Sequence, residues 1–226
     1  MTDPITLEIE PVVAAAAPAL VVSVVTASVR NTPTPDALWD LITAAGDDLR
    51  LNCPIDRVNK IPAIAATRAA YKALGKEPNR YRPSAEALAR RCVRGLGLYR
   101  SLAIIDLINL MSLRTGHSIG GFDLGRVAGN VLRLGRGCPG EPYEAIGRGL
   151  LNIDGLPVIR DAIGGIGTPT SDNDRTKLST DTSRLLMTIN MYDGPASADE
   201  SEALARQLLS DFAAATDITF RRFAAS

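Results

Sequence analysis

The sequence predicts an α+β domain whose helices and strands are segregated along the chain, and three observations predict it. Helix signals follow one another from Thr34 to Gly116, with apolar residues at helical spacing. Beyond Gly116, Gly and Pro occur every few residues through Gly167, the punctuation of short strands and turns. Alternating or β-branched runs flank this region, "ITLEIEPVV" and "ALVVSVVTASV" before it, "RLLMTINMYD" and "ITFRRF" after it. Helices should therefore cover a sheet built largely from residues before Asn31 and after Ser118.

Each element has a local reason. "ITLEIEPVV" alternates polar and apolar side chains and reads as a strand, and "ALVVSVVTASV" reads as a more deeply buried one. In "TPDALWDLITAAGDDLR", Thr34 can cap, Pro35 suits the first helical position, and Leu38, Leu41, Ile42 and Ala45 form an apolar face. "IPAIAATRAAYKALG" reads as a helix ending at Gly75, and "PSAEALARRCVRG" as one capped by Ser84 and closed by Gly95. "SLAIIDLINLMSLRTG" is apolar on most sides, hence a buried helix stopped by Gly116. "SADESEALARQLLSDFAAAT" is an amphipathic helix with an acidic start. No repeat, linker or boundary divides the chain, which reads as a single domain over 1–226.

Composition narrows the function classes. Apolar residues at 46% and charged ones at 22% suit a globular core, and aromatics at 4% leave little for a base-stacking platform. A net charge of zero argues against binding nucleic acid by bulk charge. The average conceals a segregation: residues 52–100 carry eleven Lys or Arg and three acids, while residues 1–50 carry seven acids and two arginines. One basic face would explain this, and so would Arg-rich solvated helix surfaces. Three scattered cysteines and a single histidine offer no metal-ligand spacing and no disulfide framework. No metal or cofactor is expected, and a reducing, cytoplasmic setting is. The apolar run from Pro11 follows three acids and is broken by Pro18, so paired elements are expected there rather than a membrane span.

No nucleophile elbow or phosphate-binding P-loop is present. "GLG" at 95–97 reads as helix termination, and His117, following a helix end, reads as a surface or loop histidine. "NRYRPSAEALARRC" is more specific. Arg80 and Arg82 precede a helix start and Arg90 and Arg94 lie one turn apart, a spacing that can bridge phosphates or simply decorate a surface. "GGIGTPTSDNDRT" admits two readings as well. It is either a ligand-gripping loop or a tight turn with Arg175 paired to Asp172 or Asp174.

"NRYRPSAEALARR", "IIDLINLMSLRTGHSIGGFDL", "GEPYEAIG" and "GGIGTPTSDNDRT", in this order, resemble the B3/B4 domain, the tRNA-editing domain of the phenylalanyl-tRNA synthetase beta subunit. The likeness is closest to free-standing relatives and covers most of the span from Asn59 to Met191. It implies a barrel-like mixed sheet flanked by helices, with a pocket for an amino acid carried on the acceptor end of a tRNA. Asn109 and the Phe122–Asp123 pair match the family's "N…FD" motif, and the glycines of the 164–176 segment match its pocket wall. The implied substrate-binding set is Asn109, Gly120, Phe122, Asp123, Gly164, Gly165, Gly167, Thr168, Ser171, Asp172, Asp174 and Arg175. Arg80, Arg82, Arg90 and Arg94 are the expected tRNA contacts. Gly120 stands where the synthetase motif has a histidine, and the synthetase's pocket glutamate has no aligned partner. No catalytic group is therefore assigned. The resemblance implies a deacylase acting in trans on a mismatched aminoacyl-tRNA, or a module that binds tRNA or an amino acid without catalysis. Asn109 and the 164–176 segment are expected to share one cavity with Phe122 and Asp123, with the loop's backbone N–H groups available to an oxyanion.

Overall fold

The computed structural model describes residues 3–225. The chain runs β1 (Thr6–Ile9), α1 (Pro11–Ala16), β2 (Val21–Ser28), α2 (Asp36–Asn52), α3 (Pro62–Ala73), α4 (Ser84–Val93) and α5 (Ala103–Thr115). There follow β3 (Ser118–Asp123), β4 (Val131–Arg136), β5 (Glu144–Ala145), β6 (Gly149–Leu150), β7 (Pro157–Arg160) and β8 (Gly165–Gly167). The last elements are β9 (Arg184–Met191), α6 (Ala198–Ala213) and β10 (Thr216–Ala224).

Two four-stranded sheets form the centre, one ordered β10-β2-β9-β3 and antiparallel throughout, the other ordered β1-β4-β7-β8 with β1 and β4 parallel. In the first sheet β2, β9 and β3 are buried on both faces, as the nearly unbroken apolar runs of β2 and β9 require, while the end strand β10 is largely exposed. Along β9, Leu185, Met187 and Ile189 pack among residues of α2, α4, α5 and α6, whereas Leu186 packs against Leu132, Leu134 and Ile159 of the other sheet. Successive side chains on a strand point to opposite faces, so this alternation defines three layers: helices, sheet, sheet. The strands before Asn31 and after Ser118 do make the sheet that the helices cover. The core is mixed and flanked by helices, but no barrel closes. Where β1 runs beside β10 the sheets are joined by the Arg221 side chain donating to the Ile5 carbonyl at 2.7 Å, not by a continuous ladder.

Several element ends differ from the expectation for identifiable reasons. The first strand stops at Ile9 because Pro11 starts a short helix, its fixed φ suiting that position. Pro35, not Thr34, is the N-cap of α2. The Thr34 hydroxyl instead donates to buried Asp106, which also accepts the Ser101 N–H at 2.8 Å. Ser84 likewise lies inside α4, with Pro83 at the cap and no side-chain cap bond. Gly116 ends α5 as expected, at φ +77°, with Ile61 and Ala63 packed where a Cβ would sit.

Candidate functional site

A cleft of about 330 Å³ opens between α4 and α5 on one side and edge strand β3 with the 168–178 segment on the other. Leu88, Ile105, Ile108, Ile119 and Leu178 make its apolar walls; Asn109, Ser84, Ser112, Thr168, Ser171 and Asp172 supply polar groups, with Arg148 and Lys177 adding cations. Asn109 comes from α5, where it donates weakly to Asp106 at 3.4 Å. Gly121 faces the cleft because it shares the helix-side parity of Ile119 on β3, and a Cβ there would collide with Ile108.

The 168–172 turn is fixed from every side. Thr168 Oγ1 accepts the N–H groups of Thr170 and Ser171 and donates to the Ser171 carbonyl, the pattern of a Ser/Thr turn. Tyr71 and Tyr143 bond Thr170 Oγ1 at 2.9 Å and the Ser171 carbonyl at 2.7 Å. The Ser84 N–H donates to the Pro169 carbonyl at 2.7 Å, tying the turn to the start of α4. Asp172 is thereby held against β3, where its Oδ2 accepts the Gly121 N–H at 3.1 Å. Enclosure of this carboxyl, only partly offset by that bond, pushes its pKa up to about 7.

Asn109, Thr168, Ser171 and Asp172 therefore share one cavity, and several expected companions do not. Phe122 and Gly120 lie on the opposite face of β3, against the second sheet; a shift of one residue along a strand reverses the face. Asp123 caps the 124–126 turn through the Gly125 N–H at 2.9 Å and accepts from Thr182 at 3.1 Å. Gly165 and Gly167 sit in β8, where added Cβ atoms would press on the rings of Tyr143 and Phe122. The Gly164 N–H is committed to Asp161 at 3.1 Å. None of Gly164, Gly165 and Gly167 lines the cleft, so their N–H groups are not the oxyanion donors expected of them there.

Asp174 pairs with Lys177 at 2.9 Å, and Arg175 grips Asp161 with both terminal nitrogens at 2.8 and 2.9 Å. Neither Asp172 nor Asp174 is the partner of Arg175. Burial drives the Asp161 carboxyl up, but the Arg175 pair and the N–H groups of Ala128, Ile163 and Gly164 outweigh it and hold the pKa below the usual value.

The four arginines are placed unevenly. Glu86, fully buried on α4, takes Arg68 and Arg90 at 2.7 Å each and stands 3.5 Å from Arg82. Arg80 and Arg94 are exposed. Arg82 precedes α4 and Arg94 follows it, and the ten residues of the helix between them span about 15 Å at 1.5 Å per residue. His117 is buried rather than on the surface. Its Nε2 lies 3.0 Å from Ser197 Oγ and its Nδ1 lies 3.6 Å from Asp193, and burial lowers its pKa against the opposing pull of that acid.

Sequence reasoning named Ser84 only as a helix cap and did not single out Ser112, Arg148 or Lys177. Ser112 carried a signal, lying one turn beyond Asn109 on the same helix face. No group of three or more potential metal ligands occurs among the described residues, and no helix among them is long and apolar enough to cross a membrane.

A helical layer over two packed sheets, with a half-polar cleft of about 330 Å³ at the sheet edge, defines an α+β domain with one recess between its helices and its sheet. The chain belongs to the B3/4 domain family, whose model matches residues 66–213, from α3 through α6. It is also similar to the crystal structure of an N-terminal fragment of the phenylalanyl-tRNA synthetase beta-subunit from Pyrococcus horikoshii. That likeness has 11% identity and a TM-score of 0.45, and covers 95% of this chain and 55% of the fragment, so the chain spans about half the fragment's length. No curated protein matches the chain.

Proposed function

We propose that the cleft receives the aminoacyl group on the 3′ end of a tRNA and that the domain hydrolyses the ester joining them, acting in trans on mismatched pairs. The observation that carries this reading is Asp172, a carboxyl at the wall of an amino-acid-sized cleft with its pKa brought to about 7. A base poised near the working pH is half ionised there and still strong enough to accept a proton from water. An aminoacyl ester is already activated, so an oriented water suffices and no side-chain nucleophile is required. Water oxygen bonds to the carbonyl carbon while Asp172 takes its proton; the ester C–O bond then breaks and the ribose oxygen recovers the proton. Asn109, across the cleft, offers an amide to the carbonyl or the α-amino group, and Ser84 and Ser171 offer hydroxyls to the ribose. Membership in the B3/4 family and the ordered motifs along the chain support tRNA as the carrier.

The test is a panel of mischarged tRNAs incubated with the purified chain and with Asp172→Asn. Release of one class of amino acid by the wild type, reduced about 100-fold or more in the variant, is the expected result. Asn109→Ala, checked for folding, should lower the rate as well. Binding of tRNA with every ester left intact would leave a non-catalytic recognition module, the reading that the missing imidazole at Gly120 favours. Full deacylation by Asp172→Asn would remove the acid from the mechanism.

A further inference from the structure

Behind the cleft wall, on the inter-sheet side of Asp172, lies a small cavity of about 10 Å³, room for one water. Gly120 and Gly167 border it, with the Phe122 ring nearest to the place of each missing Cβ. A Cβ at Gly120 would stand 2.9 Å from Thr188 Oγ1, and one at Gly167 would stand 3.1 Å from Asp172 Oδ1. Five polar side chains line it; Asn190 donates to the Ser118 carbonyl and the Thr168 hydroxyl is committed to its own turn, which leaves three, Thr188 from β9, Tyr192 just beyond β9, and Asp172. Thr188 Oγ1 and Tyr192 Oη are buried and have no hydrogen-bond partner among the described residues. A buried hydroxyl left dry is costly, so a polar cavity of this size fills where an apolar one stays empty. Asp172 spends Oδ2 on the Gly121 N–H, and Oδ1, the oxygen beside Gly167, accepts no bond from the described residues.

We propose that one internal water occupies this cavity, accepting from Thr188 and Tyr192 and donating to Asp172 Oδ1. Thr188 and Tyr192 are then positioning residues, acting on the acid through the water without touching a ligand in the cleft. Asp172 lines both spaces, so the water forms the rear half of a relay whose front half opens on the cleft. Burial pushes the Tyr192 phenol well up, which keeps its proton available as a donor. The catalytic use of this relay rests on the proposed hydrolysis; the water and its effect on Asp172 do not.

The consequence is electrostatic. A donor to Oδ1 favours the carboxylate, so its removal should raise the Asp172 midpoint further. The other ionisable groups around this acid are Tyr143 and Tyr192 on the core side and Arg148 and Lys177 at the cleft; none of them is altered when Thr188 is changed.

The experiment is a carbon-13 carboxyl titration of the full chain labelled at aspartate, with Asp172→Asn assigning the resonance. Thr188→Val, which keeps the shape and deletes the hydroxyl, should raise the midpoint by about one pH unit, a tenfold change in proton affinity. Tyr192→Phe should move it in the same direction, and Thr188→Ser should leave it in place. A crystal structure of the wild type should show an ordered water within hydrogen-bond distance of all three side chains. An unchanged midpoint in both folded variants, or a dry cavity in the wild-type crystal, overturns the inference. If a variant fails to fold, the wild-type crystal decides. The expected shifts in a chain that hydrolyses no mischarged tRNA would sustain the water and sink the proposed reaction alone.

Discussion

Asp172 carries a cost that shows in stability as well as in chemistry. Its folded pKa of about 7 lies above the roughly 4 of a free aspartate, so between those values the native chain holds a proton that the unfolded chain has lost. Stability from this group is complete below the unfolded value and is lost as pH rises through 7. Asp172→Asn should therefore raise Tm at pH 8 and give almost no gain at pH 4, measured by parallel thermal melts. His117 works in the opposite direction. Its buried imidazole resists the proton that the unfolded chain accepts below about pH 6.5, so acidification from pH 7 to 5 brings a decline through this group that opposes the gain from Asp172. His117→Gln should flatten that decline in the same melts. At this scale the sequence was partly readable. An amide on an apolar helix pointed to Asn109, because burying it without a partner would be costly. Nothing local distinguished Asp172 from Asp174, since burial was decided by which of them met β3. Phe122 could not be placed either, because the face it takes depends on the pairing of β3 with β9.

At the scale of elements, α4 is organised by one carboxylate. Glu86 faces inward at the start of the helix and gathers Arg68 from α3 and Arg90 from the next turn. Removing a partner from a buried pair leaves the other charge uncompensated, at about 3 kcal/mol. Glu86→Ala should lower stability by about that amount in urea unfolding, with Arg68 bearing most of the loss because it is the more buried arginine. A smaller change should strengthen α6, whose C-cap Ala214 is left-handed at φ +45°. Ala214→Gly should gain about 1 kcal/mol in the same measurement. The long helices were legible because caps, stops and period agree within each segment. The short strands β5 to β8 were not. Two to four residues carry too little pattern, and β7 and β8 are specified by pairing with one another and with β4 rather than by their own sequence.

Across the whole molecule, the basic segment proves to be two populations. Arg68, Arg82 and Arg90 share Glu86, which removes one of their three charges, while Arg80 and Arg94 stand in solvent. If tRNA lies along α4, reversing the charge of Arg80 and Arg94 together should weaken binding and reduce its salt slope by about two, since each phosphate contact releases counterions. Filter-binding across a salt series reads that slope, and an unchanged value would return both residues to the solvated surface. The α+β class was available from the switch of period near Gly116. The split into two sheets was not, because β1 finds β4 more than a hundred residues away and no local preference encodes that partner.

Strand β3 ends its sheet, and an end strand offers its free N–H and C=O groups to any other strand that approaches. Asp172 occupies one of those N–H groups, at Gly121, and the turn that carries it lies across this edge. The segment that shapes the cleft therefore also guards the sheet against self-association. Substitutions meant to open the recess, such as a shorter turn or Asp172→Ala, should bring chains together edge to edge at high concentration. Light scattering should detect the aggregates even where the fold itself survives.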